Sequence, residues 1–503
     1  MASKVEGQWK ITLSNPFTGY APGYFQSAYP NFGNPPMAGA MKNADTSDPS
    51  CITQGPGLAD LTAGTQAGAI TTLIKHIMAV PTSDDVSFAI GGNLLQQISA
   101  TAVTNAGNFP HTIDKAAVTG EDGEYSIKYK GALYYFYNHS GDAGDIGKYD
   151  LSSTFDDDWG STVPATGASA LENAPHPAVV GSDDILYFGN GRYVGYYDGV
   201  TDVMSADDLD LPVGFEVVDI RYDRNRVVIA GNLPNIEGNN NSEGIIYTWA
   251  GAGVDSFSDQ PNARIQGKIG ALYIKNGVIY VWYIENGQTD VCKMGILQGN
   301  SIQELVAYKG NLPNFGQVGE NDNLIVWASD DDNNLMAWGA IDRRIPVGLI
   351  QNVPGGYSST VNGALSAPFG ELLVASNDGS SNYRLAKASG YSTDSNYKFL
   401  MIDGAKSMID EVIAYYQPPA SGASVDLTIL SDQGLDSTLL TRRGQTESIN
   451  ATNDSGTMMK TFNPKIEVND FRMELDWGNG SAVNPLKISK IVIIGHTLFK
   501  TQS

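Results

Sequence analysis

The chain has 503 residues, with 31 Lys and Arg against 55 Asp and Glu, a formal net charge of -24. That balance repels duplex phosphate and excludes general DNA binding. An apolar fraction of 42% is adequate for burial, and the length calls for two or more domains or one repeat array.

The acidity reads first as solubility. Its other reading is a lumen or groove that lets a polyanion slide without sticking. Cys51 and Cys292 stand far apart in different surroundings, which argues against a disulfide framework and a thiolate zinc site. The opening MASKVEGQWK has no apolar h-region, so no signal peptide is expected. No apolar run approaches the roughly 20 residues of a membrane helix.

Residues 1–64 read as an extended arm. Trp9 to Leu13 suits one strand. The stretch that follows is dense in Pro, Gly and Asn, and these disrupt regular structure. Yet Phe17, Tyr20, Tyr24, Phe25, Tyr29 and Phe32 are too many aromatics for a solvated linker. The arm either packs over its own domain or docks on a neighbouring subunit. Those six rings are the candidate assembly interface. Long amphipathic helices are nearly absent: TAGTQAGAITT, inside the best candidate at 58–80, reads more easily as loop and strand.

From residue 65 to 404 the pattern repeats. Second strands centre near Ala89, Tyr134, Leu186, Val228, Tyr280, Val326 and Leu373, each in or beside a hairpin. Four-stranded units of about 40–50 residues in series are the signature of a β-propeller, and seven centres imply seven blades. The clearest unit is 269–296, with strands at 270–275, 278–284 and 289–294. Asn276-Gly277 and Asn286-Gly287 separate them, and both are expected as type I′ turns. The run VIYVWYI has no polar face, so 278–284 is expected to be a fully buried inner or middle strand.

Residues 405–503 read as a separate antiparallel sandwich of five to seven strands. Val425 to Ile429 and Phe471 to Leu475 alternate as strands with one buried face do, and Pro418-Pro419 suits a corner. The fold class is therefore all-β: a seven-bladed propeller with an extended N-terminal arm and a C-terminal sandwich.

Catalytic chemistry is harder to find. His76, His111, His139, His176 and His496 include no two at a metal-ligand spacing, and they read as solvated or packed loop histidines. The Asp156-Asp157-Asp158 run has no assigned role. Asp330, Asp332 and Asn334 have calcium-loop spacing, but Leu335 and Ile341 replace the required Gly and Glu, which favours an acidic turn. Ser376-Asn377-Asp378-Gly379 and Ser431-Asp432-Gln433-Gly434 approach the sialidase turn without matching it. Arg221, Arg224, Arg226, Arg343 and Arg344 single out no arginine triad, and no carboxylate pair can be chosen from 55 acids. No nucleophile elbow, Walker loop or dinucleotide fingerprint occurs. Tyr134, Tyr135, Tyr137, Tyr193, Tyr196, Tyr197, Trp249 and Trp338 either stack on sugars or, more simply, pack between blades. No catalytic residue, metal or cofactor is expected.

The segment NPFTGYAPGYFQSAYPNFGNPP…SCITQGPGLADLT at 15–62 resembles the opening of tailed-bacteriophage structural proteins, where such an arm leads into a propeller. SVDLTILSDQG, FRMELDWGNG and KISKIVIIG are similar to β-modules of phage virion proteins. The resemblance implies a non-enzymatic virion component of the tail or head–tail junction, assembled in the host cytoplasm. Its partners would be other virion proteins and copies of itself, with no sequence-specific nucleic acid and no membrane. The alternative is a carbohydrate-binding, receptor-binding or glycoside-cleaving propeller, whose partner would be a host surface glycan.

Overall fold

The fold comes from a computed structural model. It describes residues 8–14, 38–42, 44–45, 50–61, 70–80, 86–99, 102–104, 107–141, 143–162, 171–236, 241–253, 263–289, 291–321, 324–329, 334–339, 346–347, 365–366, 372–377, 383–392, 395–399, 406–432, 445–468, 470–478 and 484–498. By internal contacts the chain divides into two units, residues 60–334 with 353–387, and residues 1–59 with 335–352 and 388–503. No helix among the described residues is long and apolar enough to cross a membrane.

The first unit is a β-propeller. Among the described residues, seven antiparallel sheets follow one another, six of four strands and the second of five, where Leu171–Glu172 adds a short strand. Their first strands are His76–Val80, Asp122–Tyr129, Ala178–Val180, Glu216–Asp223, Gly267–Lys275, Val318–Asn321 and Leu365–Ser366. Their second strands, Val86–Gly91, Ala132–His139, Leu186–Asn190, Arg226–Ile236, Val278–Glu285, Leu324–Ser329 and Leu373–Asn377, each contain one of the centres read from the sequence. First strands of successive sheets pack on each other around a closed ring, the seventh meeting the first. Between the fifth and sixth sheets the link is polar: Glu320 accepts from Tyr273 Oη at 2.8 Å and pairs with Lys275 Nζ at 2.9 Å. The last sheet takes its fourth strand, Pro56–Asp60, from ahead of the first sheet. There Arg384 pairs with Asp60, and Leu61 N–H donates to Leu385 O at 2.8 Å.

The fifth sheet shows why the sequence folds this way and where the reading needs correction. Asn276 and Gly277 both have positive φ, 52° and 69°, as a type I′ turn requires. At 286–287 only Gly287 has positive φ, 81°, so that turn is not type I′. Asn286 is used differently: its side chain accepts from Ser242 N–H and donates to Ser242 O, both at 2.9 Å, clamping the fourth sheet to the fifth. Val278–Glu285 is a middle strand, with Tyr280, Val281, Trp282 and Tyr283 buried. Val278, Ile279 and Ile284 are only half-buried, because they lie toward the strand's ends, so the run is not buried throughout.

The second unit is a sandwich of two five-stranded sheets. Seven strands come from 407 onward, and Gln8–Ser14, Ala38–Lys42 and Asn396–Phe399 complete the sheets. Val425, Leu427 and Ile429 face the core with Phe471, Met473 and Leu475, as their alternation requires. Pro418-Pro419 lies where the chain passes from strand Ser407–Tyr416 in one sheet to Ser424–Asp432 in the other. The buried Trp477 indole donates to Leu486 O at 3.1 Å.

Candidate functional site at the centre of the ring

The chemistry-bearing side chains of the propeller converge where its first strands meet. Lys75, one residue ahead of the first strand, places Nζ 2.6 Å from Asp122 Oδ2 and 2.6 Å from Glu124 Oε1. The two carboxylate oxygens therefore lie within about 5 Å of each other. A β-bulge puts Glu124 there. Gly123 pairs with Tyr137 and Tyr125 with Phe136, so Glu124 is the extra residue. Such a bulge re-aims a side chain that regular pairing would point elsewhere.

The two carboxyls have unequal surroundings. Asp122 is 46% exposed and Glu124 only 14%. Burial pushes the Glu124 carboxyl up, outweighing the pull of Lys75. Burial also works against the Lys75 charge, but Glu124 and Asp122 more than offset it and raise the ammonium. Next to this group the His76 ring stacks on Tyr125 with centroids 3.7 Å apart. Burial and the nearby Arg221 push His76 down to about 3, so it is neutral.

Arg221 closes the deeper part of the cluster. It donates to Asp219 Oδ2 at 3.1 Å, to Leu272 O at 2.9 Å and to Phe315 O at 3.2 Å. Burial opposes its charge, and Asp219 offsets that and holds the guanidinium up. Each of Lys75, Arg221 and Lys275 thus faces a carboxylate. The cluster offers no net positive field to a polyphosphate.

A second cluster uses the same residue types farther out. Lys115 pairs with Asp145, and its Nζ lies 2.6 Å from Ser161 Oγ and 3.4 Å from Asp158. Ser161 donates to Asp145 at 2.8 Å. A Ser–Lys dyad needs a neutral lysine as base. Here burial is outweighed by Asp145, which keeps Lys115 protonated, so the dyad is a structural tie. Asp157 accepts from His111 Nε2 and Asp114 N–H, both at 3.0 Å, and from Tyr135 Oη. Asp157 and Asp158 of the acidic run are therefore engaged with the chain's own groups.

The other candidates separate. His176 is buried, donates Nδ1–H to Gly189 O at 2.8 Å and is pushed down to about 4 by burial. Tyr134, Tyr135, Tyr137, Tyr197, Trp249 and Trp338 are buried, so they pack rather than form open platforms. Tyr193 and Tyr196 are half-buried. Arg224 donates to Gly277 O, and His496 pairs with Asp410. No metal-competent group of His, Cys, Asp and Glu occurs among the described residues. Phe17, Tyr20, Tyr24, Phe25, Tyr29 and Phe32 lie outside the described residues, as do Asp330, Asp332, Arg343 and Arg344. Lys75, Asp122 and Glu124 were missed in the sequence because nothing local marks them. The nearest signal is the Asp-Gly-Glu-Tyr opening of a first strand.

No family model and no curated protein matches the chain. Among solved structures, a glucose dehydrogenase is similar at 9% identity and a TM-score of 0.38, over 66% of this chain and 99% of its own. The Bacteroides ovatus xyloglucan PUL GH43B is similar at 11% identity and a TM-score of 0.28, over 84% and 98%. A glycoside hydrolase is similar at 13% identity and a TM-score of 0.29, over 84% and 98%. The expectation of a non-enzymatic protein is corrected on this finding: the propellers that this chain resembles include enzymes. The likeness is one of architecture and assigns no activity.

Proposed function

We propose that the chain is a carbohydrate-directed propeller that binds a glycoside at Lys75, Asp122 and Glu124. The observation that carries this reading is the carboxylate pair held within about 5 Å, bridged by Lys75 and open to solvent at Asp122. Carboxylates accept from sugar hydroxyls, and a lysine donates to ring and hydroxyl oxygens. One carboxyl is buried while the other is solvated, so the two have the unequal surroundings that acid and base roles need. Lys75 binds both at rest, so a ligand must take over one of its two bonds. The test is a glycan array with a parallel assay for released reducing sugar. Binding is expected, with Asp122→Asn and Glu124→Gln each weakening it by about tenfold or more. A wild-type protein that neither binds nor cleaves any glycan overturns the reading.

Virion assembly through the arm is a second proposal. Gln8–Ser14 and Ala38–Lys42, which flank the aromatic stretch in the sequence, belong to the two sheets of the sandwich. Replacing its six rings with Ser, while keeping both strands, is expected to leave the fold intact and abolish incorporation into particles. Normal incorporation overturns this second proposal.

A further inference from the structure

The segment Asn311 to Gln317, between the fifth and sixth sheets, runs into the middle of the ring. The Phe315 ring lies 5.5 Å from that of Tyr125 on the second sheet's first strand. Phe315 O accepts from Arg221 on the fourth. The approach is backbone to backbone elsewhere. A Cβ at Gly316 would lie 2.1 Å from Lys75 O, and one at Gly270 would lie 2.2 Å from Pro313 O. No side chain fits at either position, so both close approaches depend on glycine. The segment thereby touches elements of the first, second, fourth and fifth sheets before it enters the sixth.

Phe315 lies farther along the strand than Asp122 and next to Glu124: Asp122 opens its strand, and Tyr125, which meets Phe315, directly follows the bulged Glu124. Phe315 is itself buried. Among the described residues, this segment therefore stands in the middle of the ring, where a polymer threading a lumen would have to pass.

We infer that Asn311 to Gln317 is the floor of a blind pocket whose mouth is Lys75, Asp122 and Glu124, so that the site takes a chain end of an oligosaccharide and not a chain interior. This rests on the carbohydrate reading above and narrows its substrate class. A floor beneath the carboxylates leaves room for a terminal residue. A chain that continues in both directions has to leave the pocket twice through the same mouth.

The experiment uses the full chain and short linear oligosaccharides, each with both ends free or with both terminal residues capped by bulky acetals. Binding is followed together with hydrogen exchange. The expected result is a loss of about tenfold or more in affinity on capping, with slowed exchange in peptides covering both 121–125 and 311–317. Capped chains that bind equally well, or protection at 121–125 without 311–317, overturn the blind pocket and leave the carbohydrate reading standing. No binding by any chain overturns both.

Discussion

The propeller carries two clusters built from the same parts, and they differ in what remains for a ligand. In the outer one, Lys115 and Asp145 are 14% and 10% exposed, and Ser161, Asp158 and the Ile146 N–H complete their bonding. In the inner one, Lys75 is 29% exposed and Asp122 46%. A lysine between carboxylates is thus a closed clasp when its neighbours exclude water and stays within reach of solvent when one carboxylate still faces it. Residue type does not separate the two roles; access does.

The largest expected effect breaks the closed cluster. Lys115→Ala leaves Asp145 buried and unpaired, and it should cost about 3–5 kcal/mol in chemical denaturation. Lys115→Met with Asp145→Asn should recover part of that loss, because no charge is left buried. A cost under about 1 kcal/mol for Lys115→Ala would mean that water reaches the outer cluster too.

Lys75→Ala should cost less, about 1–2 kcal/mol, since Asp122 is rehydrated when its partner leaves. If the two lysine variants are equally destabilised, the inner cluster is as closed as the outer, and the contrast fails.

The smallest effect is in pH dependence, where the clusters should diverge. Asp157 is held below its usual range: burial opposes the charge, but hydrogen bonds from His111, Tyr135 and the Asp114 N–H win. Its stabilisation is present above the ordinary Asp value of about 4 and is lost as pH falls through the lower folded value. Glu124 is raised, so its contribution is greatest below the ordinary Glu value of about 4.3 and is lost as pH rises through its higher folded value. Melting temperature measured from about pH 3 to 7 should show Asp157→Asn with a flatter acid limb. Glu124→Gln should show a smaller decline on the rising side. Identical profiles for both variants would remove the electrostatic distinction.

Much of the fold was legible because its signals are local. Asn276-Gly277 specifies its turn through two positive φ values. Val425, Leu427 and Ile429 specify one face through alternation. The seven second-strand centres were visible because the middles of covered strands are apolar runs. Asn286-Gly287 shows the limit: its dipeptide resembles Asn276-Gly277, but the bonds to Ser242, 44 residues away, decide the backbone.

By itself, the sequence determined the all-β class, the serial four-stranded units and the alternating sandwich strands, since each follows from neighbours a few residues apart. Only the tertiary structure decided the site. Lys75 meets Glu124 from 49 positions away, and Arg221 meets Phe315 across 94. The bulge that frees Glu124 lies within the second sheet, while Gly270 admits Pro313 O and Gly316 admits Lys75 O from distant parts of the chain. Ring closure brings these groups together, and no periodicity along the chain encodes a distance across the ring.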